Sequence, residues 1–287
     1  MNSHLTGLIL TTLGVLFVVP DSLFVRLIVA DPLVTAFWRG MTTGVFIFLA
    51  VLMFQGPRGF AAVLRTGWPG AIYMLLIGST APGFVLAVSN TSVANVVFIF
   101  ASIPIFATIF SRIFLGEPIR MRMVLTMAVV MVGLAIIAYG SGSNEIASLT
   151  GDLWAVYVSV AYAAALTAVR KVKEVSMIPA IPIAYIGAAL LIWAIKDPIP
   201  VFAPQWQLIL GHGAFIGAAT CLLTLGPRFI SSAEVSLLIL LESVLAPILV
   251  WIVIGENPGR LTLIGGGVVI GALLVSNMVA LWSSRRG

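Results

Sequence analysis

Two stretches of this chain repeat one another, and the repeat constrains the fold more than any other feature. Residues 92–118 read SVANVVFIFASIPIFATIFSRIFLGEP, an apolar run that ends in a Gly-Glu-Pro stop. Residues 231–256 read SSAEVSLLILLESVLAPILVWIVIGE. A shift of 139 positions places Ser92 on Ser231, Ala94 on Ala233, Val96 on Val235, Ala107 on Ala246 and Gly116-Glu117 on Gly255-Glu256, with no gap. Self-similarity at a fixed offset sets the architecture before any local detail does. The repeated unit is long and apolar enough to cross a bilayer, so the chain reads as two halves of a membrane protein.

Composition agrees. Of 287 residues, 61% are hydrophobic and 9% charged, against roughly a quarter charged in a soluble domain. Mean hydropathy is +1.16. Such a surface needs lipid as solvent, which excludes a soluble monomer. A span takes about 20 residues, which gives room for about ten spans and no soluble domain between them. One cysteine, Cys221, excludes an intrachain disulfide and a cysteine-based metal cluster. His4 and His212 lie far apart and form no metal motif, so neither metal nor cofactor is expected. The formal charge of +5 sits at span ends and suggests no nucleic-acid partner. The N-terminus lacks the basic n-region of a signal peptide, so its first apolar run counts as a span.

The hydropathy pattern predicts an all-α integral membrane protein of ten helices, over 5–29, 33–54, 68–89, 92–115, 122–140, 152–170, 177–195, 206–227, 232–254 and 261–282. The two repeats are expected at 1–145 and 146–287, helices 1–5 and 6–10. Lysine and arginine select the orientation. One side collects Arg58, Arg65, Arg120, Arg122, Arg170, Lys171, Lys173, Arg228, Arg285 and Arg286; the other has Arg26, Lys196 and Arg260. The rich side is expected in the cytoplasm, with both termini. The Gly116-Glu117 turn then follows helix 4 on the inner side, and Gly255-Glu256 follows helix 9 on the outer side. Five helices separate the copies, and five is odd, so the halves are inverted. Inverted repeats are the architecture of alternating-access transporters, with a site near the midplane between the halves.

The repeated stretch also carries a family resemblance. Thr91-Ser92-Val93-Ala94-Asn95 opens helix 4, Phe114-Leu115-Gly116-Glu117 closes it, and a helix containing Gly133 follows. The second copy has Ser232-Ala233-Glu234, Leu241-Glu242-Ser243 and Ile254-Gly255-Glu256. Phe37-Trp38-Arg39-Gly40 opens helix 2, and Gly151-Asp152-Leu153 opens helix 6. These residues resemble the drug/metabolite transporter superfamily, in its EamA-type form, over almost the whole chain. The resemblance implies a ten-helix bacterial exporter of amino acids or other small metabolites in the inner membrane. Helix 1 departs from the pattern at Val19-Pro20-Asp21, where a neutral stretch is expected.

Ionisable groups inside spans cost about 2.5–3.5 kcal/mol each at a helix centre, so each marks a candidate site. Glu242 lies near the middle of helix 9 and is the first candidate for a substrate amine or a proton. Asp21 and Arg39 lie at similar depth on either side of the first hairpin, at 1.5 Å rise per residue, and can face each other. They read either as a buried ion pair that locks the hairpin or as a pair opened by substrate. His212 stands between Gly211 and Gly213 in helix 8, as a packing residue or a proton carrier. Trp38, Asn90, Asn95, Phe98, Ser102, Tyr157, Tyr162 and Tyr185 are candidate cavity residues, with capping as the other use of Asn90 and Asn95. Pro20, Pro104 and Pro247 interrupt helices 1, 4 and 9, and paired interruptions in two halves point to a binding site. Gly40/Gly44, Gly213/Gly217 and Gly267/Gly271 are small-xxx-small pairs suited to close packing within the chain, with Gly265 to Gly271 as an alternative dimer face.

The expected function is secondary transport of a small polar or zwitterionic metabolite. Helices 1–4 and 6–9 would line the cavity, and helices 5 and 10 would brace it from outside. Organic anions, nucleobases and drug-like cations are the alternative substrates, and a membrane-embedded enzyme the distant one. The expected partners are the substrate and membrane lipid, with the substrate gradient or a proton as the energy source, in a monomer with a dimer as the alternative.

Overall fold

The computed structural model describes residues 3–90, 96, 99–100, 102–141, 149–255 and 259–284. The helices are α1 (Ser3–Val18), α2 (Asp21–Leu27), α3 (Pro32–Phe54), α4 (Pro57–Leu64), α5 (Trp68–Asn90), α6 (Ile103–Phe110), α7 (Met121–Ser141), α8 (Leu149–Lys171), α9 (Ala180–Trp193), α10 (Ile199–Leu225), α11 (Ser232–Ile239), α12 (Glu242–Ile254) and α13 (Gly259–Ser284). Among the described residues six segments are long and apolar enough to cross a membrane: Ser3–Leu27, Pro32–Phe54, Trp68–Asn90, Leu149–Lys171, Ile199–Arg228 and Ser232–Ile254. Shorter apolar helices at Ile103–Leu115, Met121–Ile136, Ala180–Trp193 and Leu263–Ser276 supply the others. The protein is an all-helical bundle of ten spans in two inverted five-helix repeats.

The first, fourth and ninth spans, in which the sequence places prolines, are interrupted, though the ninth not at its proline. The first breaks at Val19–Pro20, because proline has no N–H to continue the ladder, and α2 restarts at Asp21. The ninth breaks at Leu240–Leu241, immediately before Glu242, and not at Pro247, which falls inside α12. The fourth restarts at α6 with Pro104 in its first turn and ends in a π-turn at Ser111–Leu115. The connection between the second and third spans, which lies outside the predicted helices, contains the short helix α4. In the eighth span, Pro204 and the non-helical Gln205 kink α10 six residues after its start.

The repeat is visible in the backbone. Gly116 and Gly255, which end the two copies, both adopt left-handed φ, +69° and +82°. A residue without Cβ takes this conformation most cheaply and stops a helix there. Ser231 caps the second copy, accepting from the Glu234 N–H while the Glu234 carboxylate accepts from the Ser231 N–H. This closes two of the orphan donors that hydrocarbon would not solvate.

Packing follows the same inversion. The first span packs on the eighth and the sixth on the third; the second packs on the eighth and the seventh on the third. The fourth packs on the sixth and the ninth on the first. The second and seventh, fourth and ninth, and fifth and tenth pack on each other. Exchanging the halves maps these pairings onto themselves.

Polar cross-links gather at both ends. At the arginine-rich end, Arg122 donates to Glu234 at 2.6 Å and to the Ser276 carbonyl at 2.7 Å. Arg170 donates to Glu117 at 2.9 Å and to the Pro227 carbonyl at 2.7 Å. At the other end Lys196 bonds Asp31 at 2.9 Å, and the Gln205 side chain bonds both the N–H and the carbonyl of Val29. The Lys196 hydrogen bond holds the Asp31 carboxyl below its usual range. That link is therefore intact at neutral pH and is lost as acid protonates Asp31.

Glycines fix how closely the helices approach. Gly40 lies against the Tyr185 carbonyl, Gly44 against Ile186 and Gly213 against Thr42, so these positions pack inside the chain. Gly267 and Gly271 face open space. A Cβ on Gly133 of α7 would lie 2.8 Å from the Gly265 carbonyl of α13. Gly133→Ala is therefore expected to destabilise the fifth–tenth pair by about 1–3 kcal/mol, the usual scale of overpacking. Gly267→Ala serves as the neutral control, and thermal unfolding in detergent compares the two.

Candidate functional site

A cavity of about 110 Å³ lies between the halves. Its wall comes from all eight of the spans one to four and six to nine, and among the described residues none comes from the fifth or tenth. Tyr73, Ile77, Thr80, Ala81 and Phe84 form its wall along α5, at the three-to-four-residue spacing of one helix face.

One end of the cavity is built on Asp21. The break at Pro20 turns α2 so that this carboxylate meets Arg39 of α3. Arg39 Nε lies 3.0 and 3.2 Å from Oδ1 and Oδ2, and Nη2 lies 2.7 Å from Oδ2. This is a bidentate, charge-assisted pair, buried at both partners. His212 Nε2 adds a third contact, 2.6 Å from Oδ1. An ionised carboxylate only accepts, so Nε2 carries the proton. The imidazole stacks on Phe24 with centroids 5.2 Å apart, and Gly211 lets Phe24 approach. The Arg39 guanidinium also sits 5.9 Å from the centre of the Phe84 ring. Arg39 Nη1 and His212 Nδ1 are buried without a partner among the described residues.

Glu242 is the opposite case. It opens α12 just after the break in the ninth span and lines the same cavity. Among the described residues its carboxylate makes no hydrogen bond and no ion pair, and Asp21 and Arg39 are its charged neighbours. Two tyrosine hydroxyls on the wall, Tyr162 and Tyr185, also make no hydrogen bond among the described residues. The Tyr73 hydroxyl lies 2.8 Å from Thr224 Oγ1. Thr224 uses its own proton on the Thr220 carbonyl at 2.6 Å, so Tyr73 is the donor.

The structure thus gathers Asp21, Arg39, Glu242, Tyr162 and Tyr185 around one cavity, with His212 behind Asp21. The other candidates stand elsewhere. Trp38 points away from the cavity, donates from Nε1 to the Pro198 carbonyl at 2.9 Å and packs on Phe37 and Phe202. Asn90 is exposed and donates to the Leu86 carbonyl one turn back. Ser102 donates to the Ile99 carbonyl, and Tyr157 to Ser79 Oγ. None of these four lines the cavity. Pro20 and Pro104 shape the two breaks described above. Asn95 and Phe98 lie outside the described residues, and Pro247 is described by its backbone only. Sequence reasoning missed Tyr73, Thr224 and Phe84; the spacing of Tyr73, Ile77 and Phe84 was the signal available for two of them.

The EamA-like transporter family model matches residues 4–139 and 149–278. The chain belongs to this family, which makes it a membrane transporter of the drug/metabolite superfamily. One crystal structure of a protein resembles it with a TM-score of 0.78 and 19% identity, over 97% of this chain and 97% of that one. At that identity the likeness concerns the fold alone. No curated protein matches the sequence.

Breaking a buried pair strands its surviving charge, at a cost of about 3–5 kcal/mol, whereas removing both charges costs less. Asp21→Asn and Arg39→Gln are each expected to lower the melting temperature strongly. The double variant should recover part of that loss, as thermal unfolding of the three proteins in detergent will show.

Proposed function

We propose that this chain is a secondary transporter that exports a small polar or zwitterionic metabolite, an amino acid or a related compound, across the bacterial inner membrane by alternating access. The observation that carries this reading is the Glu242 carboxylate, unpaired on the wall of a small cavity between two inverted halves. In hydrocarbon such a charge is costly unless it has a task, and a cavity carboxylate is built for a cation. Arg39 is held by Asp21 at two of its nitrogens, which leaves Nη1 as a donor for a substrate carboxylate. Tyr162 and Tyr185 offer neutral hydrogen bonds. A substrate ammonium on Glu242 and a carboxylate toward Arg39 use the groups the protein leaves unsatisfied.

The halves, divided near residues 145 and 146, would rock about this cavity while the fifth and tenth spans brace them. The arginine-rich end lies in the cytoplasm by the charge rule, with both termini. A proton on Glu242 is the candidate counter-ion for export.

A second reading draws on the same charges. Asp21 and Arg39 cancel, so the cavity is left with the charge of Glu242, and the aromatic rings of Tyr162, Tyr185 and Phe84 suit a simple organic cation. Competition between amino acids and quaternary amines in proteoliposomes separates the two readings.

Flux of the competing solute should fall about tenfold or more in Glu242→Gln, the scale of one lost charge-assisted contact. Arg39→Gln should impair amino acids and spare simple amines. If both variants carry amino acids at the wild-type rate, the zwitterion reading is wrong.

A further inference from the structure

A second cavity, of about 160 Å³, lies at the arginine-rich end, apart from the central one. It sits where the fourth-to-fifth and eighth-to-ninth connections meet, and its wall includes Ser111, Arg120, Met123 and Ser231. Arg170, Glu117, Glu234 and His4 also reach it.

The two carboxylates are already engaged. Glu117 accepts from Arg170 at 2.9 Å, and Glu234 accepts from Arg122 at 2.6 Å and caps its own helix. Arg120 is exposed, and among the described residues its guanidinium has no ion pair or hydrogen bond. Arg170 in the lining and Arg122 behind it take up the two carboxylates, with His4 Nε2 also 3.3 Å from Glu234, so the lining guanidinium without a carboxylate is that of Arg120.

Two further features point at the same space. The first turn of the 21-residue helix α7 begins at Met121, and Met123 of that turn lines the cavity. This turn contains no acidic residue, unlike the first turn of α11, where Glu234 provides one. The Met123 and Val124 N–H groups turn back onto the Arg120 carbonyl at 2.9 and 3.3 Å, and the positive end of the helix dipole favours an anion. Ser111 stands in the π-turn opposite. It is 4% exposed, and its Oγ has no partner among the described residues. A buried hydroxyl without a partner is costly, and a ligand oxygen would satisfy it.

We propose that this cavity binds a phosphate-like oxyanion, supplied by a free solute or by an anionic lipid headgroup, and held by Arg120 and the Ser111 hydroxyl at the positive end of α7. The occupant spans the two connections, one from each half, and so ties the halves together at this end. Nothing in this site depends on the central cavity or on what is transported.

The test is thermal unfolding of the purified protein. Inorganic phosphate is titrated in detergent against chloride at matched ionic strength, and phosphatidylglycerol nanodiscs are compared with phosphatidylcholine ones. A saturable rise with phosphate supports a free anion, and a rise confined to phosphatidylglycerol supports a headgroup. In either arm Arg120→Gln should weaken the effect about tenfold, the scale of one charge-assisted hydrogen bond, and Ser111→Ala should weaken it less. Arg120 is exposed, so its replacement leaves the fold intact, as an unchanged elution profile would verify. Glu242→Gln should leave the rise unchanged. The proposal is overturned if neither phosphate nor phosphatidylglycerol raises the melting temperature saturably, or if Arg120→Gln alters the rise no more than Arg65→Gln at the same end.

Discussion

Hydrocarbon supplies no hydrogen bonds, and the interaction between Asp21 and Arg39 shows how this bundle meets that constraint. A single charge at that depth would work against insertion; two charges in bidentate contact, with His212 as a third partner, can be kept. The cluster ties the first, second and eighth spans together on one side of the cavity. Its orientation rests on a backbone defect. The proline at position 20 ends α1, and the chain restarts with Asp21 in the first turn of a new helix.

The ninth span has its own defect and puts it to a different use. The break at Leu240–Leu241 sets Glu242 at the start of α12, facing the cavity, with no protein partner among the described residues. The bundle thus contains one carboxylate held on three sides and one left open, a short distance apart. Paired charges give the cavity a fixed wall. The open one gives it a net preference, because the charges of Asp21 and Arg39 offset each other and that of Glu242 is offset by no partner among the described residues.

Much of this was legible in the sequence, and the reasons are physical. The 139-residue repeat, the alternation of spans and the glycine stops at Gly116 and Gly255 follow from apolar run lengths and backbone conformation, which are local properties. Asp21, Arg39 and Glu242 stood out because ionisable residues are rare in apolar runs. Polar and aromatic candidates fared less well. Trp38, Asn90, Ser102 and Tyr157 find partners within their own helix or on a neighbour away from the cavity. Tyr73 and Thr224, which line the cavity, have nothing in their residue type to set them apart. Rotation about the helix axis decides the matter, and a uniformly apolar helix does not encode its rotation.

The sequence by itself determined the number of spans, the inversion of the halves and which charges must be accounted for inside the membrane. Its hydrophobic pattern needs only the thickness of the bilayer to be read. The tertiary structure alone decided that Asp21 is shared by Arg39 and His212 while Glu242 is left unpaired. It also decided that the ninth span breaks beside that glutamate and not at Pro247, and that a second polar cavity forms where the two halves' connections meet. Those outcomes depend on how residues far apart in the chain are brought within hydrogen-bond distance, as Asp21 and His212 are across 191 positions and His4 and Glu234 across 230. Only the packing of helix against helix sets such distances.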